Sequence, residues 1–68
     1  MAAGRSDLTI EEWEQVHRLN RGDPEAGLVP GTIFDFLVEA GLAELRRGRP
    51  RLSDAGKKLI LKHKHDRA

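Results

Sequence analysis

The sequence predicts a small α+β domain in the order helix, short helix or loop, helix, β-hairpin, helix. Three observations carry this expectation. Apolar residues recur at helical spacing over residues 32–40 and stop at Gly41. Residues 42–45 and 51–52 read as short strands around a basic, glycine-containing turn. Ser53 stands where a further helix would begin.

Taken in order, residues 1–7 are small and polar and are expected to be disordered, as are residues 64–68. Thr9 and Glu12 form a capping box, each side chain able to bond the other's unpaired backbone N–H. Leu8 before the cap and Trp13 after it suit the hydrophobic staple. The helix that follows is expected to bury Ile10, Trp13 and Val16, with His17 or Asn20 alongside. Glu11, Glu14, Gln15 and Arg18 are expected to face water, and Gly22 to close the helix. Trp13 reads as core rather than as a ligand platform, and His17 as a boundary residue.

Residues 23–30 read as a loop or one turn of helix from Pro24, with Leu28 and Val29 as apolar anchors. The next helix starts at Gly31 or Thr32 and ends at Ala40, with Ile33, Phe36, Leu37 and Ala40 placed inward. Phe34 and Val38, beside that face, widen the apolar stripe and form a candidate protein interface. Gly41 can take the left-handed conformation that ends a helix, and Leu42 can then fold back onto the last turn. Residues 42–45 alternate as a half-buried strand does, apart from Ala43. Arg46-Arg47-Gly48-Arg49 connects to a return strand at Arg51-Leu52. Ser53 is expected to cap a last helix over residues 54–63, with Asp54 in its first turn. Leu52, Ala55, Leu59 and Ile60 would face inward and Lys57, Lys58 and Lys62 outward, while Gly56 permits close approach of a neighbour.

The run Leu37-Val38-Glu39-Ala40-Gly41-Leu42-Ala43-Glu44, the basic turn, and Leu52-Ser53-Asp54-Ala55-Gly56-Lys57-Lys58-Leu59 resemble the core of winged helix-turn-helix regulators of the MarR and PadR type. In that family a helix ends in a Gly-Leu step, a hairpin wing follows, and a Leu-(Ser/Thr)-x-x-Gly segment opens the next helix. The resemblance covers residues 37–59, about half the chain. It implies a small winged-helix-like domain and, in function, a DNA-binding transcription regulator. The family's helix before the recognition-helix position is here reduced to a loop or one turn.

Sixty-eight residues make a single domain over residues 1–68, small enough that a dimer or a partner would help to stabilise it. Without cysteine the chain has no disulfide, thiolate metal site or thiol nucleophile. No apolar run approaches the ~20 residues of a membrane span, and residues 1–7 lack a signal peptide's apolar stretch. The expectation is a soluble, cytoplasmic protein without a membrane partner. Net charge is only +1, yet its distribution is uneven. Residues 1–44 hold three arginines against nine acids, and residues 45–68 hold nine bases against two acids. Such asymmetry suits a basic patch for a polyanion, or attraction between the two halves.

No enzyme is expected. The chain has neither Cys nor Tyr, no glycine-rich phosphate loop and no cluster of His and carboxylates on one element, and Ser6 and Ser53 read as tail and cap. No cofactor is implied. His63, His65 and Asp66 are metal-ligand types, but alternate residues at a helix end do not converge and flanking lysines repel cations, so no metal site is expected.

Two binding functions remain. In the first, Arg46, Arg47, Arg49 and Arg51 on the hairpin, aided by Lys57, Lys58, Lys62 and Lys64, contact DNA phosphates or enter a minor groove. In the second, the chain is a protein-interaction module or adaptor on the same scaffold, docking through its acidic N-terminal half or through the Phe34 and Val38 face. The helix at residues 32–40 offers Asp35 and Glu39 where base readout wants basic or amide groups, so it reads mainly as core. The basic hairpin makes the DNA reading the preferred one, and the size suits a small bacterial or phage regulator.

Overall fold

The computed structural model describes residues 4–63. Its order is a 3-10 turn Arg5–Asp7, helix α1 Ile10–Arg21, a 3-10 turn Glu25–Leu28, helix α2 Gly31–Glu39, strands β1 Ala43–Arg46 and β2 Arg49–Leu52, and helix α3 Asp54–Lys62. This is an α+β domain, three α-helices with one antiparallel hairpin, compatible with a winged-helix-like arrangement. The single helical turn at Glu25–Leu28 falls within the segment read as a loop or one turn.

Local chemistry sets the helix ends. Thr9 N donates to Glu12 Oε1 at 2.9 Å and Glu12 N donates to Thr9 Oγ1 at 3.1 Å, which completes the capping box of α1. Leu8 and Trp13 are both buried, as a staple requires. α2 ends on Gly41 at φ 79°, where Gly41 N donates to Val38 O and Leu42 N to Leu37 O. This pair of bonds is the Schellman arrangement, and it returns fully buried Leu42 onto fully buried Leu37.

α1 lies at the centre of the core, against the Glu25–Leu28 turn, α2, α3 and β2. Trp13, Val16 and Leu19 from α1 are buried with Ala26, Leu37, Leu42, Ala43, Leu52, Leu59 and Ile60. Because α1 is covered on several sides, its buried arc is wide and displaced from the expected one. Gln15, expected in water, is only 6% exposed, whereas Ile10, expected inside, is 69% exposed. At about 100° per residue, Ile10 lies well off the arc centred between Val16 and Leu19.

Two further expectations are corrected in the same way. Leu28 is 65% exposed, and Ala26, two residues earlier, anchors that segment together with Val29. On α2 the inward arc centres on Leu37, so Phe34 packs against the core with Ile33 and Ala40 while Phe36 is 38% exposed. The N-terminal segment is also more structured than expected from Gly4 onward. Gly4 N donates to Asp7 Oδ2 at 2.8 Å, and the Arg5 guanidinium stacks 4.8 Å from the Trp13 ring centre. Residues 1–3 and 64–68, expected to be disordered, lie outside the described residues.

The hairpin is longer and its turn tighter than expected. Arg46 pairs with Arg49, so Arg47 and Gly48 alone make the turn. Both have positive φ, 56° and 76°, as a type I′ turn requires. Asn is the preferred first residue of such a turn, because its short polar side chain tolerates the left-handed region. Arg47→Asn is therefore expected to stabilise the fold by about 0.5–1 kcal/mol, read as a later urea midpoint in Trp13 fluorescence. An unchanged or earlier midpoint would mean that the Arg47 side chain itself supports the turn.

α3 begins at Ser53, whose Oγ accepts from Gly56 N at 3.1 Å and donates to Gly41 O at 2.6 Å. Ser53 N also donates to Leu42 O at 3.0 Å. The end of α2 and the start of α3 are thereby joined at one point, with the hairpin projecting from it. Gly56 sits against this joint so closely that a Cβ would lie 2.3 Å from Leu42 O.

Candidate nucleic-acid interface

The register of the hairpin decides which side chains share a surface. Partners directly opposite on paired strands point to the same face, and alternate residues along a strand do too. The pairs Glu44–Arg51 and Arg46–Arg49 thus form one face, and Ala43–Leu52 and Leu45–Pro50 the other. The second face enters the core through Ala43 and Leu52, and Leu45, at 65% exposed, extends past it. The first face is almost wholly guanidinium.

Arg46 directly opposite Arg49 is a like-charge pair, which on its own destabilises a hairpin. Two carboxylates offset it. Glu44 Oε2 lies 3.1 Å from Arg46 Nη2. Asp23 Oδ2, from the loop after α1, lies 3.0 Å from Arg49 Nη1 and 3.2 Å from Arg51 Nη2. Arg51 Nη1 also donates to Pro50 O at 2.7 Å. Arg47, exposed at the turn, makes no ion pair with another described residue.

Together Arg46, Arg47, Arg49 and Arg51 line an open hollow of about 600 Å³. The structure thus brings together all four predicted hairpin arginines. Lys57, Lys58 and Lys62 are exposed on the outer side of α3, with Leu61, 71% exposed, among them. Lys64 lies outside the described residues, as do His65 and Asp66. On α2, Val38 is 41% exposed but Phe34 is packed against the core, so the pair is open only at its Val38 end. Asp35 and Glu39 are exposed there, and α2 contributes mainly Leu37 to the core. Among the described residues no helix is long and apolar enough to cross a membrane, and no three His, Cys, Asp or Glu side chains gather as metal ligands would.

Asp23 is the site residue that sequence reasoning missed. It is 26 residues from Arg49 and 28 from Arg51, and no periodic pattern marks it. The Arg51 hydrogen bond is the largest influence on its carboxyl; burial opposes it, and the Arg51 charge with the Arg49 hydrogen bond and charge add to it, so the carboxyl is held below the ordinary value of 3.8. A folded-state pKa below the unfolded one contributes stability above the unfolded value, and that stability is lost as pH falls through the folded value. Asp23→Asn is therefore expected to unfold slightly more readily than the wild type near neutral pH. The gap should close below pH 3.8, in thermal melts across a pH series. A gap that persisted at low pH would show that the carboxylate charge is not its source.

No protein family matches this chain, and neither a curated protein nor a solved structure shows significant similarity to it.

Proposed function

We propose that this protein is a non-enzymatic, DNA-binding winged-helix regulator that holds the phosphate backbone through its hairpin and the outer side of α3. The convergence of Arg46, Arg47, Arg49 and Arg51 on one open hollow carries the reading. Guanidinium groups suit phosphate because their fixed fork of donors matches its oxygens, and Arg47 has no carboxylate to release first. Lys57, Lys58 and Lys62 extend the positive surface along α3. Arginines on a projecting turn also suit a narrow minor groove. The exposed acids of α2 speak against a base-reading helix, so contact should be mostly with phosphates and tolerant of sequence. A cytoplasmic location, where nucleic acid is at hand, goes with this reading.

The test is a fluorescence-anisotropy titration of random-sequence duplex at two salt concentrations. With four to six phosphates neutralised, log K should fall with log salt at a slope of about −4 to −5. Absence of binding at low salt, where phosphate attraction is greatest, would overturn the proposal.

A second reading, a protein-interaction module that pairs with itself or a partner, draws on the open flanks of α2, where Phe36 and Val38 stand in water. It predicts a solution mass above that of one chain, or capture of a partner that Val38→Asp abolishes.

A further inference from the structure

A second hollow, of about 350 Å³, adjoins the arginine face and has a different character. It lies between the end of α1, the hairpin and the first turns of α3, and is lined by Leu19, Asn20, Gly22, Arg46, Arg51, Leu52 and Lys57. Arg46 comes from β1, Arg51 from β2 and Lys57 from α3, so cationic residues from three separate elements line one space. None of the lining residues is acidic. The carboxylates that pair with Arg46 and Arg51, Glu44 and Asp23, fix these guanidiniums from outside the lining and occupy only part of their donor set. Leu19 and Leu52 are the buried apolar members of the lining, and Asn20 is its uncharged polar member. The carbonyl end of α1 at Gly22 opposes an anion weakly, and three full charges outweigh such a partial one.

We infer that this hollow binds a phosphate monoester, the terminal phosphate of a nucleotide or of a nucleic-acid strand, in preference to the diesters of the chain interior. Three cationic side chains around one space can each serve one of the three terminal oxygens of a monoester, whereas a diester offers two. A monoester also carries about −1.5 to −2 charge at neutral pH, against −1 for a diester. The volume exceeds what a bare phosphate fills and lies within the small-ligand range, about 300–1,000 Å³, so the ester's sugar would rest over Leu19 and Leu52. This site shares Arg46, Arg51 and Lys57 with the proposed backbone surface but uses neither Arg47 nor Arg49, so ligand preference, not residue identity, separates the two proposals.

The experiment compares a 5′-phosphorylated oligonucleotide, the same oligonucleotide with a 5′-hydroxyl, and free AMP, each titrated at pH 7 and pH 5 in constant salt. The expected result is at least about tenfold tighter binding of the phosphorylated strand at pH 7, shrinking at pH 5 as the monoester takes up its second proton near pH 6. Lys57→Gln should remove most of that preference. Lys58→Gln, one position along but outside the hollow, should weaken both strands together and leave their ratio unchanged. Saturable AMP binding that Lys57→Gln weakens, without a strand preference, would support the site and assign it to free nucleotide. Equal affinity for both strands together with no AMP binding overturns the inference, whether or not binding is steep in salt. AMP binding without any binding of duplex would instead overturn the backbone proposal and leave this one standing.

Discussion

Gly56→Ala is expected to destabilise the fold by about 3 kcal/mol, the upper part of the range for overpacked sites. The added Cβ would stand 2.3 Å from Leu42 O and 2.9 Å from Leu52 Cδ2. Leu52 can rotate, but Leu42 O cannot retreat, because it also accepts the Ser53 N–H and belongs to the turn that closes α2. Relief therefore requires α3 to move off the joint, exposing Leu59 and Ile60 on its own buried side. Domains of this size have a total stability of only about 5 kcal/mol or less to lose. At roughly 4–8 °C per kcal/mol, the melting temperature should fall by more than about 10 °C, read by circular dichroism. A fall of only a degree or two would mean that α3 does not pack on Leu42 as described. The glycine of the Leu-Ser-x-x-Gly segment is thus explained by packing, without appeal to a ligand.

The second large effect concerns binding rather than stability. Arg46→Glu combined with Arg47→Glu is expected to weaken duplex binding about 100-fold at low salt. It removes two phosphate contacts and adds two repulsions at the same place, each worth a few-fold. Folding should be little changed, because both side chains are exposed and the one ion pair lost, to Glu44, is a surface pair worth ~0–1 kcal/mol. A melting temperature close to wild type would therefore accompany the lost affinity. Undiminished binding would place the nucleic-acid surface away from the hairpin. If a protein partner is still captured by the double variant, the two proposed functions use different faces.

The contrast between these variants reflects what a sequence makes legible. The Thr9–Glu12 capping box, the Gly41 termination and the Ser53 cap were readable because each is a bond between residues a few positions apart, with one residue type suited to each role. The hairpin and its arginines were readable for the same reason. Burial phase was not. Whether Ile10 or Gln15 of α1 meets water depends on which elements cover the helix, and the Glu25–Leu28 turn and α2 widen that cover beyond the apolar stripe. Phe34 and Phe36 exchange roles on α2 because both lie near the edge of its apolar arc, where tertiary packing decides. The site was half legible: the four arginines stood out, but Asp23, which ties two of them from across the chain, is one acid among nine in the first 44 residues. The smaller hollow joins α1, the hairpin and α3, and only the fold brings these together.

The joint at Leu42 and Ser53 has a consequence for how such a chain can change over time. The hairpin leaves and re-enters the body at one hydrogen-bonded position, so its root is committed to folding while its tip is committed to nothing in the interior. Lengthening the turn at Arg47-Gly48 costs little, since each doubling of a flexible loop adds only about 0.6 kcal/mol. Apart from Gly48, whose positive φ favours glycine, insertions and side-chain changes at the tip can thus be sampled at little cost to the interior, while those at Gly41, Leu42, Ser53 and Gly56 are penalised at once. A lineage carrying this fold could replace what it touches by rewriting a handful of codons at one protruding end, with its framework left intact.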